Sequence, residues 1–346
     1  MTIHEKYMHR CLELAKQGAG YVSPNPMVGA VLVYDDKIIG EGYHQKYGED
    51  HAEVNCLNAV KTEDRKFISA ATLYVSLEPC NFFGKTPACT DLIIKQKIPK
   101  IVIGCKDPNS IVDGKGIEKL LTEGLDVEYG ILEKECIELN KRFYMFQKQH
   151  RPYIILKWAQ SADNKMAGTG TSRLFISNEE TNRLVHKWRS EEASILVGTN
   201  TALLDDPELT NRFWEGPSPI RLVLDLDLRL PESLKIFNQQ KKTIIFNKRK
   251  QEEKENLIFY KIDKNKNPVQ EIVSSLYHLN ITSVLVEGGA KLLQSFIDKN
   301  YWDEIRIIKN EKFIIGNGLS SPLIPGIPAM EESRIGDDVV KTYIRN

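Results

Sequence analysis

A histidine and two cysteines constrain the first half of the chain more than any other feature. The histidine opens the stretch HAEVNC at His51, and Cys80 and Cys89 follow behind a Glu-Pro pair. Zinc prefers nitrogen and sulfur ligands, and a catalytic zinc site leaves one of four positions open for water. If the three side chains bind one ion, the fold must bring distant segments together. The alternative is that they are ordinary core or surface residues.

Glu53 lies two residues after His51, where it need not bind the metal itself. A carboxylate there can accept a proton from water and pass it to a leaving group. H-x-E followed by P-C and a second cysteine is the pattern of zinc nucleobase deaminases, although eight residues here replace the usual two between the cysteines. The joint pattern favours a catalytic zinc site. The other cysteines are predicted to be core residues: Cys11, Cys56, Cys105 and Cys136.

Composition and charge narrow the class of protein. Of 346 residues, 41% are hydrophobic and 27% charged, which is typical of a globular protein large enough for two domains. The 47 basic residues are balanced by 47 acidic ones, so no basic surface for nucleic acid or an anionic membrane is expected. No signal peptide and no apolar run of roughly 18 residues is evident. Six cysteines without a secretion signal do not suggest a disulfide framework, so a reducing cytoplasm is expected. Small anionic ligands remain possible, because a few local basic groups suffice for one phosphate.

Segments typical of strands and helices alternate along the chain, which predicts an α/β fold. In the first half, helices are predicted at 3–17, 51–61, 91–97 and 133–149, and strands at 28–34, 72–77 and 100–104, with a hairpin after residue 34. We place the domain boundary at the end of the charged segment 133–149, which gives domains 1–147 and 148–346.

The second half begins a new α/β series. Strands are predicted at 153–158, 193–197, 220–224, 243–246, 283–286 and 304–308. A capping box of Ser177 and Glu180 predicts a helix to about Arg189, and region 248–270 is predicted to be solvated surface. The strand before Gly288-Gly289 leads into a helix, an arrangement that suits a phosphate but is weak evidence alone. No G-x-G-x-x-G occurs, so a Rossmann dinucleotide site is not supported.

Five stretches of the first half carry a family resemblance. They occur in the order PNPMVGAVLV, GEGYH, HAEVNCL, YVSLEPCNFFGKTPACTDLI and VIGCKDPN. Together they closely resemble the deaminase domain of the bifunctional deaminase–reductase family of riboflavin biosynthesis. The resemblance implies a cytidine-deaminase-like αβα layered fold. The implied substrate is 2,5-diamino-6-ribosylamino-4(3H)-pyrimidinone 5′-phosphate, which loses its 2-amino group as ammonia.

The resemblance also assigns roles by position. It implies that zinc is bound by His51, Cys80 and Cys89 and that Glu53 carries the proton. The implied substrate contacts are Asn25, His44, Lys85, Asp107 and Asn109. An asparagine offers both a donor and an acceptor to a pyrimidine edge, and a lysine suits a phosphate. Asn81-Phe82-Phe83-Gly84 replaces the family's common Ser-His-x-Gly, so one possible phosphate or ring contact is lost.

Four stretches of the second half resemble the reductase domain of the same family: LKWAQSADNKMA, ILVGTNTALLDDPELTNR, PIRLVLD and VEGGAKLL. The resemblance implies a dihydrofolate-reductase-like α/β fold, NADPH as cofactor, reduction of the ribosyl group to ribityl, and a homo-oligomer. The implied cofactor contacts are Ala159, Phe175, Thr201, Asp205 and Gly289. The implied substrate contacts are Arg173, Arg189, Arg212 and Glu287. Arginine forks match the oxygens of a phosphate.

This half departs from the family pattern at two places. Asp163-Asn164-Lys165 stands where Asp-Gly-Lys or Asp-Gly-Arg is usual, and Arg173-Leu174-Phe175-Ile176-Ser177 replaces Ser-x-Trp-Ile-Thr. Phe175 can stack on a ring but cannot donate a hydrogen bond as an indole does. Three alternatives to a two-step enzyme remain open. They are a deaminase with a degenerate second half, a tRNA base deaminase, and a binding protein with a structural zinc ion.

Overall fold

A computed structural model describes residues 1–82, 87–170 and 174–345. The chain divides into two compact units, Met1–His150 and Arg151–Asn346. This division follows the charged segment 133–149 and lies slightly beyond residue 147, because a helix continues to Gln149. Two residues that the family resemblance singled out, Lys85 and Arg173, lie outside the described residues.

The first unit contains a mixed sheet. Its helices are α1 (Ile3–Lys16), α2 (Ala52–Asn58), α3 (Cys89–Lys95), α4 (Lys115–Thr122), α5 (Glu133–Leu139) and α6 (Lys141–Gln149), with a 3-10 helix at Arg65–Ala70. Its strands are β1 (Gly29–Tyr34), β2 (Lys37–Tyr43), β3 (Thr72–Leu77), β4 (Lys100–Cys105) and β5 (Asp126–Tyr129). In the described residues they pair in the order β2-β1-β3-β4-β5. The β1–β2 hairpin is antiparallel, and β3, β4 and β5 are parallel.

Helices cover both faces of this sheet. Alternate residues of a strand point to opposite faces, and Ala30 and Leu32 accordingly pack with α2, α3 and α4, whereas Val31 and Val33 pack with α1 and α6. Helix α1 begins at a capping box in which Thr2 accepts a hydrogen bond from the backbone N–H of Glu5. The predicted αβα layering is therefore present.

Several boundaries differ from prediction. Helix α2 starts after His51, which occupies the N-cap position, and ends at Asn58 instead of residue 61. Segment 133–149 forms two helices, because Asn140 interrupts it. The Asn140 side chain bonds both the backbone N–H and the carbonyl of Met27, at 2.8 and 2.9 Å. Helix α4 and strand β5 were not predicted.

The second unit is built on a larger sheet. Its helices are α7 (Glu179–Glu191), α8 (Thr199–Asp205), α9 (Pro268–His278) and α10 (Ala290–Asp298), with a 3-10 helix at Lys235–Phe237. Its strands are β6 (Tyr153–Gln160), β7 (Lys165–Gly168), β8 (Ser194–Gly198), β9 (Ile220–Leu224), β10 (Thr243–Asn247), β11 (Glu252–Lys254), β12 (Leu257–Lys261), β13 (Ser283–Val286), β14 (Glu304–Asn310), β15 (Gly318–Ser320), β16 (Glu331–Ile335) and β17 (Asp338–Ile344).

Within the described ranges, the main sheet has the strand order β11-β12-β10-β9-β8-β13-β6-β14-β17-β16. The strands from β12 to β14 in that order run parallel, so their carboxyl ends lie along one edge. Open α/β sheets bind ligands at this edge. In the part of the chain that the structure describes, no helix is both long and apolar enough to span a membrane.

Two predictions for the second unit are wrong. The N-cap of α7 is Asn178, which accepts a hydrogen bond from Thr181 N–H at 2.8 Å, so Ser177 and Glu180 do not form the capping box. Region 248–270 is not entirely solvated, because Leu257, Ile258 and Phe259 of β12 are buried. Flanking charges obscured this short apolar strand.

The approach of α1 to β1 gives a test of packing. A methyl group on Gly29 would overlap the carbonyl oxygen of Cys11 in α1. Gly29→Ala should therefore lower the free energy of unfolding of the first unit by about 2 to 3 kcal/mol. Gly326→Ala, in the second unit, is the control, because its added methyl group meets no atom within 4 Å. It should change the free energy of unfolding of its own unit by less than about 0.5 kcal/mol. Calorimetric unfolding of both variants measures the difference; equal effects would contradict the packing argument.

Candidate active sites

His51, Cys80 and Cys89 converge in the first unit. His51 lies at the start of α2, Cys80 follows β3, and Cys89 is the first residue of α3. The Nδ1 atom of His51 lies 3.3 Å from Cys89 Sγ and 3.6 Å from Cys80 Sγ, and the three ligand atoms lie within 4.8 Å of one another. One nitrogen and two sulfurs fit three positions of a tetrahedral zinc site and leave a fourth position for water.

The two sulfurs differ in their surroundings. Cys80 Sγ accepts a hydrogen bond from the backbone N–H of Cys89 at 3.3 Å. The side-chain hydrogen bond from Cys89 lowers the pKa of the Cys80 thiol to about 4, whereas the same contact and burial raise the pKa of Cys89. Cys80 is therefore readily available as a thiolate, which is the form that binds metal.

Glu53 lies in the first turn of α2 with only 3% of its surface exposed. Burial raises its pKa above the usual value, and the negative charge of Cys80 acts in the same direction. A raised pKa makes a carboxyl group a better proton acceptor than an exposed one, which suits a residue that must take up a proton. Its place beside the cluster suits proton transfer.

Asn25 and His44 lie next to this cluster. The His44 ring meets the His51 ring edge-on, with centroids 5.4 Å apart. His44 Nδ1 donates to the carbonyl of Asp50 at 3.0 Å, and burial lowers its pKa, so Nε2 is an acceptor. The amide nitrogen of Asn25 donates to that Nε2 atom at 3.1 Å. His44 thereby fixes which way the Asn25 amide faces.

Asp107 and Asn109 follow β4, the parallel neighbour of β3. Asp107 accepts a hydrogen bond from Asn109 N–H at 2.8 Å, and Asn109 accepts one from Ile111 N–H at 3.0 Å. Burial raises the pKa of Asp107 to about 7. These residues follow the strand beside the one that leads to Cys80. Lys85 lies outside the described residues.

The role of Glu78, which stands in the Glu-Pro pair before Cys80, was not predicted from the sequence. Its side chain is 3% exposed, and its two carboxylate oxygens accept hydrogen bonds from four backbone N–H groups. A charged residue directly after a buried strand is unusual. The position of Glu78 directly after a buried strand was the signal in the sequence that could have indicated a role for it.

A cleft of about 1140 Å³ lies in the second unit, at the carboxyl ends of β6, β8, β9 and β13. It brings together the described residues that the family resemblance singled out in this half. They are Ala159, Arg189, Thr201, Asp205, Arg212, Glu287, Gly289 and Phe175, whose side chain is 80% exposed. Arg173 lies outside the described residues.

A buried ion pair forms one wall of the cleft. Arg189 donates from Nε and Nη2 to the two oxygens of Glu287, at 2.9 and 2.8 Å, and Lys157 Nζ lies 3.7 Å from Glu287. Burial alone would raise the pKa of Glu287, but the two cations lower it to about 2. The role of Lys157 was not predicted, although a lysine within a mostly buried strand was a signal.

His186 holds the segment that carries Arg212. Its Nδ1 atom accepts a hydrogen bond from Arg212 N–H at 2.9 Å, and the ring is 2% exposed. Burial first, then the charges of Arg189 and Arg212, lower its pKa to about 4, so it stays neutral. The Arg212 guanidinium bonds Glu208 at 3.0 Å. Sequence analysis missed His186.

Gly288 and Gly289 connect β13 to α10. A methyl group on Gly288 would lie 2.7 Å from Cβ of Val197, so the chain approaches β8 too closely for a side chain. Gly289 adopts a φ of 63° at the N-cap of α10, in the left-handed region that glycine enters readily. The first N–H groups of α10 thus border the cleft, as in phosphate sites.

Asn164 replaces a glycine of the family pattern without disturbing the turn. Its φ is 58°, and asparagine is among the few residues that tolerate this conformation. Its side-chain oxygen accepts hydrogen bonds from Gln160 at 3.0 Å and Lys309 at 3.1 Å. This departure is therefore compatible with the fold.

Comparison with known families matches both halves. The family described as "Cytidine and deoxycytidylate deaminase zinc-binding region" matches residues 1–105, and the one described as "RibD C-terminal domain" matches residues 152–334. The riboflavin biosynthesis protein RibD of Aquifex aeolicus is 41% identical, over 99% of each chain. That of Escherichia coli is 32% identical, over 95% of this chain and 93% of its own.

A solved structure from Thermotoga maritima matches with a TM-score of 0.89 and 34% identity, over 98% of both chains. It is described as a diaminohydroxyphosphoribosylaminopyrimidine deaminase and 5-amino-6-(5-phosphoribosylamino)uracil reductase. The deaminase-like and reductase-like fold classes expected from the sequence are confirmed. The chain therefore belongs to the RibD family of bifunctional riboflavin-biosynthesis enzymes, in which a zinc-dependent deaminase and an NADPH-dependent reductase lie on one polypeptide.

Proposed function

We propose that the chain catalyses two consecutive steps on one phosphorylated pyrimidine. Domain 1–147 deaminates 2,5-diamino-6-ribosylamino-4(3H)-pyrimidinone 5′-phosphate at its 2-amino group, and domain 148–346 reduces the ribosyl group of the product to ribityl. The observation that carries the first step is the convergence of His51, Cys80 and Cys89 beside the buried carboxyl of Glu53. The matches favour none of the alternative functions.

In the deaminase, His51, Cys80 and Cys89 are the proposed zinc ligands. Zinc, when bound, makes water acidic enough to act as a nucleophile near neutral pH. Glu53 would take a proton from the attacking water as its oxygen bonds C2, and would deliver that proton to the amino nitrogen, which leaves as ammonia when the C2–N bond breaks. Its raised pKa suits both halves of this transfer, because the carboxyl must gain and lose a proton in each cycle.

The proposed substrate contacts surround the cluster. Asn25, with its amide oriented by His44, reads the pyrimidine edge, while Asp107 and Asn109 bind on the other side. Lys85 is proposed for the phosphate. These assignments rest on the family resemblance. The hydrogen bond between Asn25 and His44 and the edge-on contact of His44 with His51 support the first of them.

In the reductase, NADPH supplies the hydride that adds to C1′ of the opened sugar. The proposed cofactor contacts are Ala159, Phe175, Thr201, Asp205 and Gly289. The proposed substrate contacts are Arg173, Arg189, Arg212 and Glu287. Glu287 is well suited to hold the Arg189 guanidinium in one orientation, because it accepts two of its N–H groups. Lys157 adds a further cation to the same wall.

Partners and location are also proposed. The chain acts on small molecules, forms a homo-oligomer and works in the cytoplasm without binding nucleic acid. Equal numbers of basic and acidic residues support the absence of nucleic-acid binding. A gel-shift assay with tRNA, in which no complex forms at physiological salt, checks it.

Replacing the proposed proton carrier gives the sharpest test of the deaminase. Glu53→Gln keeps the size of the side chain but cannot carry a proton, so ammonia release should fall at least about 100-fold. Zinc content, measured by atomic absorption, should not change. Glu63→Gln, at an exposed position, is the matched control. Ammonia release at the normal rate by Glu53→Gln would exclude the proposed role.

Removing the metal should separate the two activities. A chelator that strips zinc should abolish ammonia release, whereas NADPH oxidation with the deaminated pyrimidine should continue. The reason is that the proposed reductase contacts include no metal ligand. Restoring zinc should restore ammonia release. Parallel loss of both activities would argue against separate sites.

Arg189→Lys tests the reductase substrate site. Lysine keeps the positive charge but cannot form the two-pronged contact with Glu287 or offer a guanidinium fork to the substrate. KM for the deaminated pyrimidine should therefore rise at least about tenfold. KM for NADPH should change less. Arg183→Lys, on the exposed side of the same helix, is the matched control. Steady-state NADPH oxidation gives both constants, and an unchanged KM for the pyrimidine would remove Arg189 from the substrate site.

A further inference from the structure

The buried carboxylate of Glu78 is neither a metal ligand nor a proposed substrate contact. Its Oε2 atom accepts hydrogen bonds from the N–H groups of Asp107 at 3.1 Å and Gly114 at 3.0 Å. Its Oε1 atom accepts from Gly116 at 2.9 Å and Ile117 at 3.2 Å. The carboxylate thus joins the end of β3 to both ends of the segment 107–114.

Three of these bonds cap helix α4. The first N–H groups of a helix have no partner within it, and a polar side chain at the N-cap usually satisfies one of them. Here the N-cap is Gly114, with a φ of 85° and no side-chain cap. Glu78, which directly follows β3, supplies the missing acceptor. Its negative charge lies at the positive end of the helix dipole.

The packing around Glu78 leaves little freedom. A methyl group on Gly116 would overlap the carbonyl oxygen of Pro79 and lie 3.1 Å from Oε1 of Glu78. The start of α4 therefore rests directly on the Glu78-Pro79 backbone, one residue before Cys80. Four N–H donors offset the cost of burying the carboxylate.

The fourth bond, from the N–H group of Asp107, connects the Glu78 carboxylate to the proposed substrate contacts. Asp107, whose N–H bonds Glu78, in turn accepts the N–H of Asn109 through its carboxylate. A movement of the Glu78 carboxylate would therefore shift both residues relative to Cys80. The leaving amino group must lie within hydrogen-bonding reach of Glu53, and a misplacement of about 1 Å can cost about 100-fold in rate.

We infer that Glu78 is a positioning residue of the deaminase, whose carboxylate holds the Asp107–Asn109 segment at a fixed place relative to the metal cluster. The inference rests on the proposed function, in which Asp107 and Asn109 contact the pyrimidine. Glu78 is not among the proposed metal ligands or substrate contacts. It acts through the backbone of the segment that carries the proposed contacts.

Glu78→Gln is the test variant. An amide keeps the size of the side chain but offers one oxygen, so it faces two of the four N–H donors with its own NH₂ group. We expect kcat/KM for ammonia release to fall about 10- to 100-fold. Zinc content should remain unchanged, and so should NADPH oxidation by the second unit of the same chain. Hydrogen exchange should accelerate at the amides of Asp107, Gly114, Gly116 and Ile117.

A double-mutant comparison separates positioning from general destabilisation. If Glu78 acts through the segment that carries Asn109, Glu78→Gln should cost less in the Asn109→Ala background than in the wild type. A general loss of stability would instead reduce activity by the same factor in both backgrounds. That outcome would overturn the inference.

Glu118→Gln, an exposed substitution in the first turn of α4, is the matched control and should leave ammonia release unchanged. Glu78→Asp keeps the charge on a shorter side chain. Its kcat/KM for ammonia release should lie between the values of the wild type and Glu78→Gln. Loss of zinc by both Glu78 variants would show that the residue is needed for folding of the metal site, and would overturn the inference. A kcat/KM for Glu78→Gln within twofold of the wild-type value would also overturn it. Absence of ammonia release from the wild type would instead contradict the proposed function itself.

Discussion

Parallel strand pairing determines where the chemistry of each unit can occur. In the first unit β3 pairs with β4 from Thr72 and Lys100 to Leu77 and Cys105, so the two chains leave the sheet side by side. One leads to Cys80 and the other to Asp107. In the second unit β13 pairs with both β6 and β8, which places Glu287 beside Lys157. Both sites follow from the rule that parallel strands end at a common edge.

Three buried carboxylates illustrate how surroundings assign different tasks to one side chain. Glu287 is held ionised by Arg189 and Lys157, which outweigh its burial. Glu53 is buried beside a cysteine thiolate, so it retains a proton more readily. Among the described residues, the hydrogen-bond donors to Glu78 are four backbone N–H groups. One thus orients a cation, the second is the proposed proton carrier, and the third holds backbone N–H groups.

Much of the fold and the convergence of His51, Cys80 and Cys89 could be predicted from the sequence, because strong local patterns encode them. Strands Thr72–Leu77 and Ile220–Leu224 have the predicted bounds, since each is a short apolar run between turn residues. Glu78, Lys157 and His186 were missed because their roles depend on partners distant in sequence. The N-cap of α7 was misplaced by one residue, since Ser177 and Asn178 are both good caps and only the backbone conformation selects between them.

The anchoring of the segment after β4 has a consequence for how such an enzyme can diverge. Its first residue, Asp107, and its last, Gly114, are bound to the same carboxylate, so the stretch between them is a closed loop on a fixed base. Changing the length of a closed loop costs little free energy. Residues 110–113 can therefore accept insertions or new side chains while Asp107, Asn109, the cysteines and α4 stay in place. Because the proposed pyrimidine contact Asn109 borders these residues, changes in them can alter the proposed substrate site without moving His51, Cys80 or Cys89.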